Sequence, residues 1–140
     1  MLRLAMLVTV VMLSGCASRV CGREFGVGVD GYPRRTANAT CRTWVDEGVV
    51  DWRDIRADID RRPWTIRWGQ TLPSGVRAQV WLRPTSVVIE FRDPAKLSFV
   101  DIQQDVEHEV SHVVLDIAGI PTDQHHPAMV RVLKDPAHTR

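Results

Sequence analysis

Between residues 98 and 117 the apolar side chains fall at Phe99, Ile102, Val106, Val110, Val113, Val114 and Ile117. That is the three-and-four spacing of a helix with one buried stripe. Its ends are written beside it. Ser98, with Asp101 in the first turn, is a start signal, and Gly119 followed by Pro121 is a stop. The polar face of this helix reads Asp101, Asp105, His108, His112 and Asp116. A shorter helical pattern over about 51–61 carries Trp52, Ile55 and Ile59 inward, opens on Asp51 and Asp54, and stops before Pro63. The charges it presents outward (Arg53, Asp54, Arg56, Asp58, Asp60, Arg61, Arg62) alternate in sign, which predicts a solvated face.

Residues 64–92 change period. Trp64, Ile66 and Trp68 alternate with polar positions, and Val76, Ala78, Val80 and Leu82 alternate with Arg77, Gln79 and Trp81. Val87, Val88, Ile89 and Phe91 follow, with turn signals at Pro73-Ser74-Gly75 and Arg83-Pro84-Thr85-Ser86. The simplest arrangement is an antiparallel meander of three strands. Together with the helices this predicts a small α+β domain.

Chemistry enters on the polar face of the long helix. His108-Glu109-Val110-Ser111-His112 is a His-Glu-x-x-His string. Residues four apart lie one above the other on a helix, so the two imidazoles aim at one point where a divalent ion bridges them. Glu109 lies beside that point, in reach of an activated water; zinc brings the water pKa to about 7 and the carboxylate takes the proton. Asp105 and Asp116 are candidates to hold the second ring protons of the histidines. A catalytic zinc site wants a third protein ligand. The chain has no Glu after Glu109, and Leu115 and Ala118 occupy the places where an extended Gly-x-x-His continuation would stand. Asp123, His125 and His126 remain, with Asp135 and His138 farther off.

In these residues the chain resembles the zincin metalloproteases, and most closely their SprT-like members, over about residues 98 to 133. Those carry the motif helix, a short turn and a third His about a dozen residues on, at the start of another helix. The resemblance implies His125 as that ligand, Glu109 as catalytic base, and a following short helix with Met129, Val130, Val132 and Leu133 as its apolar stripe. The Gly usual after the third His is His126 here, which keeps His126 open as the ligand or as a hydrogen-bond donor to a reacting carbonyl. Asp123 is the third alternative. The resemblance further implies that an extended peptide pairs with the edge strand beside the motif helix, with either 76–82 or 87–91 as that edge.

Residues 1–15 read as a secretory signal peptide: one Arg, no acid, and an apolar run ending in small residues. Leu13-Ser14-Gly15-Cys16 resembles the lipobox of bacterial lipoproteins, which implies cleavage before Cys16 and a lipid anchor on it. With Ala17 and Ser18 following, a Gram-negative location is expected to be the outer membrane, facing the periplasm. Of three cysteines, Cys21 and Cys41 then remain and are expected to pair in an oxidising compartment, closing a loop worth about 3 kcal/mol. Residues 16–43, with Gly22, Gly26, Gly28, Gly31 and Pro33, read as a lipidated tether around that loop, and 44–140 as the zincin-like metal-binding domain.

A formal net charge of +1 and the absence of a basic run exclude nucleic acid as an expected partner. The reading is an envelope lipoprotein with a zinc-dependent peptidase activity on envelope proteins or cell-wall peptides. The alternatives are a non-catalytic metal-binding lipoprotein, with His125 and His126 both closing the metal, and a protein-interaction module derived from a peptidase fold.

Overall fold

The computed structural model describes residues 31–68, 72–92 and 98–134, with the side chains of 31–35, 66, 68 and 99 left aside. The segment expected to be a signal peptide, Cys16, Cys21 and His138 lie outside the described residues. The elements run α1 (Gly31–Asp46), α2 (Trp52–Arg61), β1 (Trp64–Trp68), β2 (Ala78–Leu82), β3 (Val87–Phe91), α3 (Phe99–Ile117), a single 3-10 turn (Thr122–Gln124) and α4 (His125–Leu133). The molecule is mixed α+β, and among the described residues no helix is long and apolar enough to cross a membrane.

The long helix α3 forms where its spacing predicts. Ser98 caps it with a reciprocal box: Ser98 Oγ accepts from the Asp101 N–H at 3.2 Å, and the Asp101 carboxylate accepts from the Ser98 N–H at 3.2 Å. Val106, Val110, Val113, Val114 and Leu115 are fully buried, because α3 lies between α1 on one side and the sheet on the other.

Helix α1 corrects the expected tether. Ala37, Cys41 and Trp44 repeat at four and three residues, are fully buried, and pack into the same core as α3 and the sheet. The Trp44 indole N–H donates to Ser111 Oγ at 2.9 Å. The packed core therefore takes in residues from Ala37 on, ahead of 44. Cys41 is disulfide-bonded; the expected partner, Cys21, falls outside the described residues.

The sheet corrects the meander. Its order is β1-β3-β2, with β1 parallel to β3 and β2 antiparallel to β3. The reason lies in β3, where Val87, Ile89, Glu90 and Phe91 are all buried. A strand buried on both faces suits the centre of the sheet, where β3 pairs with β1 on one side and β2 on the other. Glu90 is buried through its ion pair with Arg67 of β1 at 2.6 Å. That leaves β2, not β3, as the edge beside α3.

The mixed charges of α2 are not wholly solvated either. Asp58 and Arg62 are buried. Asp58 accepts from Arg61 at 2.8 Å, from Arg62 Nε at 2.7 Å and from the Trp64 indole at 2.9 Å, while Arg62 Nη2 donates to Asp116 at 2.7 Å. These bonds join α2, β1 and the C-terminal half of α3. Helix α2 opens at Asp51 as expected, and Asp51 caps it, accepting from the Arg53 N–H at 2.7 Å.

Candidate metal centre

Helix α3 ends in a turn that returns the chain over its own polar face. The Ile120 N–H donates to the Leu115 carbonyl and the Gly119 N–H to the Asp116 carbonyl, each at 3.0 Å. This pair of bonds is the Schellman closure, and it requires the positive φ of 75° that Gly119 adopts. Pro121 and the 3-10 turn then start α4 on His125 and His126.

Adjacent residues on a helix point about 100° apart, so these two histidines meet the motif from different sides, and His126 is the one that joins the convergent nitrogens. Its Nε2 lies 3.2 Å from His112 Nε2, and His108 Nε2 lies 3.2 Å from the same atom. Ligand atoms of His108, His112 and His126 all fall within 4.8 Å of one another. His125, expected as the third ligand, is instead fully buried behind His112. Its Nδ1 is 2.9 Å from His112 Nδ1, and its Nε2 is 2.8 Å from the Ile120 carbonyl oxygen. Asp123 stands exposed in the 3-10 turn beside Gln124, outside the cluster.

The donor set suits a divalent cation. Three imidazoles leave a fourth position open, the arrangement of catalytic zinc sites. Zinc–nitrogen bonds of about 2.0–2.1 Å place tetrahedral ligands about 3.3 Å apart; the two separations around His112 are 3.2 Å, and the whole cluster falls within 4.8 Å, close enough to hold a metal ion.

Glu109 completes the arrangement. Its carboxyl is buried, and burial together with the Asp105 charge one turn back pushes its pKa up to about 8, against a hydrogen bond from the backbone N–H of Val80. That donor comes from the open edge of the sheet. Arg83 N–H donates to Ser86 O and Arg92 N–H to Arg77 O, so in this register the odd residues of β2 face β3. The backbone polar groups of Ala78, Val80 and Leu82 therefore point outward from the sheet, toward α3. A cleft of about 590 Å³ runs along this edge, lined by Val76, Ala78, Val80 and Leu82 on one side and by His108, Glu109, His112 and His126 on the other.

The acids expected behind the histidines have other partners. Asp116 accepts from Arg62, and the second nitrogen of His112 is met by His125. Asp105 is buried, bonds Arg77 at 2.8 Å through Oδ1, and its Oδ2 has no hydrogen-bond partner among the described residues. Burial raises its pKa, opposed by Arg77. The Val80 N–H and Arg77 were not foreseen as parts of the site. Both arrive from the sheet, and no local signal in the sequence announces them.

No family model matches the chain, and neither a curated protein nor a solved structure matches it.

Proposed function

We propose that the chain is a zinc-dependent peptidase of the bacterial cell envelope, anchored by lipid at Cys16 and acting on envelope proteins or cell-wall peptides. The observation that carries the reading is the meeting, in one cleft, of three convergent imidazole nitrogens, a buried carboxyl beside them and an open strand edge. His108, His112 and His126 would hold the ion, which would supply Lewis acidity toward a water and a carbonyl. Glu109 takes the proton of the attacking water and returns it to the leaving amine. A cation at the three nitrogens offsets the burial that otherwise keeps this carboxyl neutral. The outward backbone groups of β2 that Glu109 does not hold pair with an extended peptide and lay its scissile bond along the cluster.

Elemental analysis of the purified protein tests this together with cleavage of an unfolded polypeptide. About one zinc per chain is expected, lost in His108→Ala, His112→Ala and His126→Ala. Glu109→Gln should keep the zinc and abolish cleavage. Zinc without any hydrolysis by the parent would support a non-catalytic metal-binding lipoprotein. Absence of metal even after zinc is added would support a module that binds a partner strand on β2.

A further inference from the structure

The geometry points to His125 as a positioning residue that fixes the tautomer of His112, so that the His112 Nε2 lone pair faces the cluster. The chain of contacts has a direction. The Ile120 carbonyl oxygen can only accept a hydrogen bond, so the nitrogen 2.8 Å from it, His125 Nε2, carries a proton. In a neutral imidazole the other nitrogen is then an acceptor. His125 Nδ1 meets His112 Nδ1 at 2.9 Å, which places the proton of that contact on His112. His112 Nε2 is left with its lone pair, and it is the atom that both His108 Nε2 and His126 Nε2 approach at 3.2 Å.

Two features make this a built contact. His125 is fully buried, so no water competes for either ring nitrogen. The carbonyl it reads belongs to Ile120, whose own N–H is tied to Leu115 at the end of α3. The turn that carries His126 into the cleft thus also sets which nitrogen of His112 carries the proton. Metal-bound histidines commonly give their second N–H to a carboxylate or a carbonyl; here a second imidazole relays a carbonyl to the ligand.

This inference rests on the reading of the cluster as a metal site, and its test separates the two. The tautomer of His112 is read by nitrogen NMR in the metal-free protein with its imidazoles neutral. A protonated Nδ1 and bare Nε2 are expected; the opposite assignment overturns the proposal. Zinc affinity is then compared, by competition with a chelator, in the parent, His125→Leu and His125→Gln. The leucine variant is expected to bind one zinc about 10- to 100-fold more weakly. The glutamine, whose amide both donates and accepts, is expected to recover part of that loss. Equal affinity in parent and leucine variant overturns the proposal. Should the leucine variant fail to fold, the tautomer measurement on the parent still decides. A parent with the expected tautomer but no zinc affinity refutes the metal site and leaves the positioning role standing.

Discussion

The indole N–H of Trp44 and the hydroxyl of Ser111 meet at 2.9 Å across the interface of α1 and α3. Ser111 is the fourth residue of the His-Glu-x-x-His string, and its hydroxyl in turn donates to the Glu107 carbonyl at 2.6 Å. The helix segment that aims His108 and His112 is therefore fastened on its flank by a helix far away in sequence. Ser111→Ala leaves the buried indole without its acceptor, which costs about 1–3 kcal/mol. Urea unfolding should show that loss while zinc stoichiometry stays at the parental value. A variant as stable as the parent would show that the contact contributes nothing.

What sequence alone revealed, and what it concealed, follows the range of each interaction. The caps, stripe and ends of α3 are local, and Ser98, Asp101 and Gly119 announce them. Helix α1 was hidden by its Thr36, Asn38, Thr40 and Thr43, weak helix formers, although the Ala37-Cys41-Trp44 stripe was present. The β1-β3-β2 order depends on a crossover that no turn signal encodes. Choosing between His125 and His126 needs the angle at which α4 leaves the turn, and adjacent histidines carry no trace of it.

The buried charges of α2 make a second prediction. Asp58 accepts from Arg61, Arg62 and Trp64, and Arg62 is as buried as Asp58 itself. Asp58→Ala strands the Arg62 guanidinium with only the half-exposed Asp116 as partner. Breaking a buried pair on one side costs about 3–5 kcal/mol. Asp116→Ala should cost clearly less, since Arg62 keeps Asp58. Denaturant midpoints for the two variants check the order, and a larger loss for Asp116→Ala would contradict it.

Glu109 should leave a mark on the pH dependence of the metal-free protein. Its folded pKa, about 8, lies above the ordinary value of 4.5 because burial disfavours the charged form. Between those values the unfolded chain has released a proton that the folded chain retains, so stability falls as pH rises. The contribution is complete below about pH 4.5 and is lost as pH climbs through about 8, at up to about 1.4 kcal/mol per pH unit. Urea unfolding from about pH 5 to about pH 8 should show this decline in the parent and a flatter curve in Glu109→Gln. Parallel curves would mean that the carboxyl is not held neutral by its surroundings.

Zinc itself should stabilise the fold through the same three imidazoles. An ion that binds only the folded state, present at about 100 times its Kd, adds about 2.7 kcal/mol, a rise in Tm on the order of 10 °C for a domain of this size. A chelator should reverse that rise. The variants then assign the third ligand: His126 approaches His112 at 3.2 Å, whereas Asp123 is exposed and lies outside the cluster. His126→Ala should lose most of the zinc-dependent rise, and Asp123→Ala should keep it. Calorimetry showing the reverse pattern would move the ligand to Asp123 and would require the turn after Gly119 to close differently when the ion binds.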